Sequence, residues 1–314
     1  MWAGLEVLAV WALLSSRQKG AYWAPLPPKI CLCSPPCEVV FPADMRAFYI
    51  NLDSSSARRI RLEKSFAACE HRNWKLQRYT AKPARECAGM VGRISDAEKA
   101  CALSHTGLID SQKNNSAPFL VLEDDACFGR SSLTILDGLI SAPGDDEWDI
   151  LFTDLGIGHA ATMIDLVYLR KELEPQGRVT TIDVLKFPVW FGATSYVVNA
   201  RSVDKIVGHL AAASFDLPYD LLLRRLVGEQ KIRALVSFPF LTTVSRDADQ
   251  SAIQPKSRSR TSLLLDSFRR MIWIEGDAYD PTADLDVVRS DVGARSKHYG
   301  LLWAAMVDDS FEWI

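Results

Sequence analysis

Short runs of β-branched and aromatic residues alternate along this chain with segments whose apolar residues recur at helical spacing, and that alternation most limits the folds open to it. "AFYINL", Ala47 to Leu52, is rich in β-formers and ends at a polar turn, "DSSS". The helix predicted after it sets Leu62, Phe66 and Cys69 on one face. "WKLQRYT", Trp74 to Thr80, alternates like a half-exposed strand. "SDAEKACALSHTGLIDSQ" opens with Ser95 and Glu98 in capping-box spacing. Its predicted inward stripe is Ala97, Cys101, Ser104 and Leu108, with His105 beside it. Strands follow in "PFLVLEDDACF" and "WDILFTDLG", and then "PVWFGATSYVVNARSVDKIVGHL" reads as a strand, an Asn199 cap and a helix carrying Val203, Ile206, Val207 and Leu210. "FDLPYDLLLRRLV" reads as a loop with Asp216 and Asp220 leading into a short helix, and "KIRALVSF" as another strand. Alternation of this kind calls for an α/β architecture, a mixed, mainly parallel sheet flanked by helices.

The 314 residues suit one large domain or two small ones. A formal net charge of -3 offers no reason to expect nucleic acid as a partner. Seven cysteines, an odd number, argue against a complete disulfide framework and for a reducing compartment, hence a cytoplasmic location. Cys69 and Cys101 occupy helix-like segments as small hydrophobes. Cys31, Cys33 and Cys37 have no fourth ligand at a familiar zinc spacing. The early apolar run from Leu5 to Leu14 is much shorter than the roughly 20 residues that span a bilayer. Met45 stands just before the first strand, so residues 1–44 read as an N-terminal extension or an over-early start. The main folded domain is expected over residues 45–254. Residues 255–314 read as a basic, helical C-terminal tail. In that tail Lys256, Arg258, Arg260, Arg269 and Arg270 face a single Asp266. Leu263, Leu264, Ser267 and Met271 would share the opposite helix face. Such a helix either lies on an anionic membrane surface, through residues 256–274, or packs on the domain.

The chemistry concentrates where the apolar run Leu120, Val121, Leu122 meets Glu123, Asp124 and Asp125. Ligands of open α/β sheets bind beyond the carboxyl ends of strands. Adjacent carboxylates there repel one another unless a cation or a proton sits among them, and magnesium or manganese favours such oxygen donors. Alternation points Glu123 and Asp125 the same way, with Asp124 opposed, if the strand continues. Arg58, Arg59 and Arg61 stand in the first turn of the first helix, the wrong charge for the macrodipole unless an anion docks there.

"FYINLDSSSARR", "CALSHTGL", "FLVLEDDACF", "WDILFTDLG", "GATSYVVNARSVDKIV", "LPYDLLL" and "DQSAI" stand in the order found in glycosyltransferase family 25, and the chain resembles that family from about Met45 to Ile253. The family includes lipooligosaccharide and collagen galactosyltransferases. The resemblance implies a GT-A fold, a UDP-sugar donor, a divalent cation (manganese or magnesium) and an inverting transfer to a glycan or glycolipid acceptor. By that carry-over Asn51, Leu52 and Asp53 face the nucleotide, with Arg58 or Arg59 near its phosphates. Glu123 and Asp125 take the metal position, Asp125 as the direct ligand, with Asp124 beside them. His105 falls on the family's histidine. Asp220 matches its P-x-D aspartate and is the first candidate for general base, with Asp154 the second. Two positions depart from the family pattern: Ala100 stands for a glycine, and Ala252 for an acidic residue late in the domain. Two other readings stay open on the same residues: a metal-dependent phosphohydrolase, and a catalytically silent homologue that binds a glycan or a partner.

Overall fold

The computed structural model describes residues 45–71, 73–141, 148–245, 260–289 and 292–307. The extension 1–44 with its three cysteines, and Ala252, Lys256 and Arg258, lie outside the described residues. A seven-stranded sheet has the order β2-β1-β3-β9-β5-β10-β7. These strands are β1 (Met45–Asn51), β2 (Trp74–Thr80), β3 (Phe119–Glu123), β5 (Ile150–Phe152), β7 (Thr180–Asp183), β9 (Ser195–Val198) and β10 (Ala234–Phe238). The pairs β1–β2, β1–β3 and β5–β10 are parallel. β9 runs antiparallel to both β3 and β5, and β7 antiparallel to β10. Five strands therefore share one direction, and the α/β, mainly parallel sheet is as expected.

The central strands β3, β9, β5 and β10 form from mostly apolar runs because both sheet faces are covered there, while the edge strand β2 alternates between buried and exposed residues. Along β3, Phe119 and Val121 enter one core while Leu120 and Leu122 enter the other, and all four are fully buried. The first core is closed by α2 (Asp96–Ser111), α4 (Ala160–Leu173), α5 (Val203–Ala211) and α6 (Tyr219–Gly228), through residues such as Leu108, Leu166, Ile206 and Leu223. The second lies under α1 (Ser56–Ala67) and α3 (Ser132–Ser141), through Leu62, Phe66, Leu133 and Leu136. Two short ladders stand outside the main sheet: β4 (Ala126–Phe128) with β11 (Thr242–Val244), and β6 (Gly156–Ile157) with β8 (Trp190–Phe191).

Sequence periodicity located these elements well but misjudged some faces. The capping box of Ser95 and Glu98 is present at the start of α2. The buried stripe of that helix is Ala100, Ser104, His105, Leu108 and Ile109, while Ala97 and Cys101 are only half-buried. His105 is thus at the centre of the stripe and not beside it, because its Nδ1 meets the buried hydroxyl of Tyr196. Of the face expected on α7 (Arg260–Met271), Ser267 is buried and Leu263 half-buried, but the rest turns outward. Leu264 and Met271 are 42% and 41% exposed, whereas Arg269 and Arg270 are 4% and 3% exposed. α8 (Thr282–Arg289) and α9 (Ala294–Val307) complete the described chain. No helix among the described residues is long and apolar enough to cross a membrane.

Candidate active site

The parallel direction of β1, β3 and β5 brings Asn51, Glu123 and the Thr153–Asp154 step to one edge of the sheet. The register fixes this: Ile50 stands opposite Glu123 and Leu122 opposite Ser195, and the Glu123 amide donates to Thr194 O at 2.8 Å. β3 stops at Glu123, and Asp124 and Asp125 form a turn before β4. Alternation therefore does not extend past Glu123, and the acid pair Glu123/Asp125 does not share one strand face. Glu123 turns to His105, whose Nε2 is 3.4 Å from its Oε1. Asp124 and Asp125 instead share Arg58, whose Nη2 lies 2.9 Å from Asp124 Oδ1 and 2.7 Å from Asp125 Oδ2. The cation that three adjacent carboxylates require is thus partly built into the chain, from the first turn of α1.

Asn51 braces this turn from the end of β1. Its Nδ2 donates to Asp124 Oδ2 at 2.6 Å and to Ser55 O at 3.1 Å, while its Oδ1 accepts from Arg78 Nε at 3.2 Å. Asp53 is exposed and pairs with Arg78 at 2.5 Å, and Leu52 O closes the turn by accepting from the Ser55 amide. Arg59 does not join the carboxylates; its charge acts on Tyr49 instead. Ser245 N donates to Asp125 O at 2.8 Å, anchoring the other side of the acidic turn.

The electrostatics divide the carboxylates. Burial, reinforced by Glu123 and opposed by Arg58, pushes Asp125 up to about 7. Burial also raises Asp124, against the pull of Arg58 and Asn51. For Glu123 burial acts upward as well, but the His105 ring 3.4 Å away, with Arg58 and Arg269, outweighs it and holds the group below its usual range. Asp125 Oδ1 is buried and has no hydrogen-bond partner among the described residues. An unpartnered carboxylate oxygen in a negative setting suits a hard divalent cation, so the donor set fits the implied metal.

The two base candidates are placed differently. Asp154 is 1% exposed and ion-paired with Arg269 of α7, which also donates to Thr194 Oγ1 at 3.0 Å. Asp220, half-buried in the first turn of α6, accepts from the Gly192 amide through Oδ2 at 2.9 Å. Gly192 has φ +89°, a conformation glycine adopts without strain, and so Asp220 holds the bend that leads into β9. His105 is clamped: its Nδ1 is 2.8 Å from Tyr196 OH, which is 2.9 Å from Tyr219 OH, and its ring stacks on Tyr219 at 4.2 Å. Sequence reasoning did not single out Arg269, Thr194, Tyr196, Tyr219 or Arg78 for the site. Each stands in an ordinary helix or strand pattern, and only the sheet order brings it to this edge.

Residues 45–223, more than half of the chain, match the family described as "Glycosyltransferase family 25 (LPS biosynthesis protein)". No curated protein matches the chain. Among solved structures, the apo form of the glycosyltransferase GlyE from Streptococcus pneumoniae TIGR4 is 10% identical with a TM-score of 0.37, covering 80% of this chain and 64% of that one. The apo bifunctional glycosyltransferase WbbM is 9% identical with a TM-score of 0.33, covering 63% and 46%. Apo mouse xyloside xylosyltransferase 1 is 7% identical with a TM-score of 0.30, covering 61% and 77%. This chain spans less than two thirds of the first two structures, and the fold rests on its own topology, not on likenesses this loose.

Proposed function

The chain belongs to glycosyltransferase family 25, and from that premise we propose that it moves a sugar, galactose in the first instance, from a UDP-sugar to a glycan acceptor such as lipooligosaccharide, with inversion. The observation that carries the reading is the buried carboxylate edge faced by Arg58 and Arg269, with Asp125 Oδ1 left unpartnered. A GT-A-type arrangement would place the nucleotide over the turn Asn51–Leu52–Asp53. Asp125, as the direct ligand, would hold manganese or magnesium, which when bound supplies positive charge to the diphosphate leaving group, while Glu123 turns to His105. Arg58, at the edge of the same carboxylates, exchanges an acidic partner for a phosphate oxygen as the donor docks. Asp220 takes the acceptor hydroxyl proton while that oxygen attacks the anomeric carbon opposite the departing diphosphate. It is better suited than Asp154, which Arg269 and full burial withdraw from any acceptor. Contact of residues 256–274 with a membrane-borne acceptor would have to do without Arg269 and Arg270, which face inward.

The test is a screen of UDP-sugars for binding and transfer, with and without manganese. We expect one donor to bind with manganese and Asp125→Asn to lower transfer at least 100-fold. Asp220→Asn should lower kcat with little change in donor KM. Transfer that survives Asp125→Asn would sink the assignment. A second reading draws on the same ion pairs: charges already neutralised by Arg58 and Arg269 suit a silent homologue as well. An intact fold that binds no UDP-sugar would favour it, and inorganic phosphate release without transfer would favour a phosphohydrolase.

A further inference from the structure

One cluster at this edge is not made for a hard cation. Cys101, His105 and Glu123 bring a thiol sulfur, an imidazole nitrogen and a carboxylate oxygen within 4.8 Å of one another, and no other such group of three occurs among the described residues. Helical spacing sets Cys101 and His105 on the same side of α2, one turn apart. The end of β3 supplies Glu123. His105 is fully buried, yet its Nε2 has no hydrogen-bond partner among the described residues. The 3.4 Å from Nε2 to Glu123 is long for a charge-assisted hydrogen bond, which runs about 2.7–2.9 Å. It does match the edge of a tetrahedron: two donors each about 2.05 Å from a zinc ion lie about 3.4 Å apart.

We propose that Cys101, His105 and Glu123 form a site for a borderline-soft divalent ion of the zinc class, separate from the Asp125 position and with a fourth coordination place open. The surroundings complete the case. A metal-bound histidine is normally oriented through its other ring nitrogen, and here Nδ1 meets Tyr196 OH at 2.8 Å, backed by Tyr219. Stacking on Tyr219 removes ring rotation, so Nε2 has one direction to face. A thiolate and an imidazole select zinc over magnesium or manganese. The assignment does not depend on sugar transfer.

Cobalt(II) substitution tests it. In the chelator-treated full chain, with Cys31, Cys33 and Cys37 replaced by serine, one equivalent of Co2+ should produce a thiolate-to-cobalt charge-transfer band and tetrahedral visible bands, both removed by one equivalent of Zn2+. Cys101→Ser should abolish the charge-transfer band, and Tyr196→Phe should weaken Zn2+ about 10-fold. Asp125→Asn should leave the spectrum unchanged. A check that needs no site variant is alkylation of the native thiols, mapped by mass: Zn2+ should slow modification of Cys101 and leave Cys127 unaffected. Absence of the band, its survival in Cys101→Ser, its loss in Asp125→Asn, or alkylation of Cys101 indifferent to Zn2+ would each overturn the proposal.

Discussion

Single side chains here carry strain that the surrounding fold tolerates. Asp137, on α3, is 8% exposed and accepts a hydrogen bond from Trp74 Nε1 at 2.7 Å. Burial raises its carboxyl from 3.8 to about 6, against that hydrogen bond. A raised carboxyl contributes its full stability below its unfolded value and loses it as the pH climbs through the folded one. The native state should therefore weaken between about pH 4 and pH 7 on account of this group. Asp137→Asn, which keeps an oxygen for Trp74, should gain on wild type by about 1–2 kcal/mol over that window and hold the gain above it. Urea unfolding of both proteins at pH 4 and pH 7 measures this, and a difference that does not grow with pH would refute it. Burial raises Asp154 as well, but its ion pair with Arg269 compensates the buried charge, and either partner alone would be costly.

At the scale of elements, α2 is the part on which most of the site chemistry converges. It carries Cys101 and His105, packs Leu108 and Ile109 into the first core, and starts at a reciprocal cap in which Ser95 Oγ accepts from the Glu98 amide at 3.3 Å and Glu98 Oε2 accepts from the Ser95 amide at 2.8 Å. Ser95→Ala removes half of that cap. The expected loss is about 1 kcal/mol in thermal or denaturant unfolding, with no change in the cobalt spectrum. The helix is held mainly by its buried face, so an altered spectrum would mean that the cap also positions Cys101. β3 is the second decisive element. It ends where the acidic turn begins, and that ending separates Glu123 from Asp124 and Asp125.

Across the whole molecule, the C-terminal segment acts as a brace on the site. Arg269 neutralises Asp154 at the end of β5. Arg270 Nε donates to Val244 O at 3.1 Å and its Nη2 to Ser245 O at 3.2 Å. Ser245 in turn holds the main chain of Asp125, and Val244 pairs with Ala126 across β4 and β11. α7 is thus tied both to the end of β5 and to the acidic turn, although it lies beyond the residues that match the family. Arg269→Ala leaves Asp154 buried without its counter-charge and should cost about 3–5 kcal/mol. A drop in Tm on the order of 10 °C follows. Asp154→Asn in that variant should recover part of it, and an Arg269→Ala protein as stable as the wild type would show that the brace carries no load.

The order of strands and helices was legible in the sequence because period-2 and period-3.6 patterns are local properties of a few neighbouring residues. The carboxylate triplet was legible as well, since three like charges after a buried strand demand a counter-charge wherever they fold. The partner of each carboxylate was not legible. Arg58, His105 and Arg269 come from 65, 18 and 146 residues away from Glu123 along the chain, and only the strand order β1-β3-β9-β5 and the docking of α7 bring them to one edge. The inward face of α7 is the clearest case. By composition its arginines belong outside and its leucines inside, but the buried Asp154 carboxylate and the backbone carbonyls of Val244 and Ser245 draw the arginines in and leave Leu264 and Met271 exposed. Local sequence determined which elements form and where acid accumulates; tertiary structure decided which cation meets which acid, because electrostatic partners are chosen by distance in space.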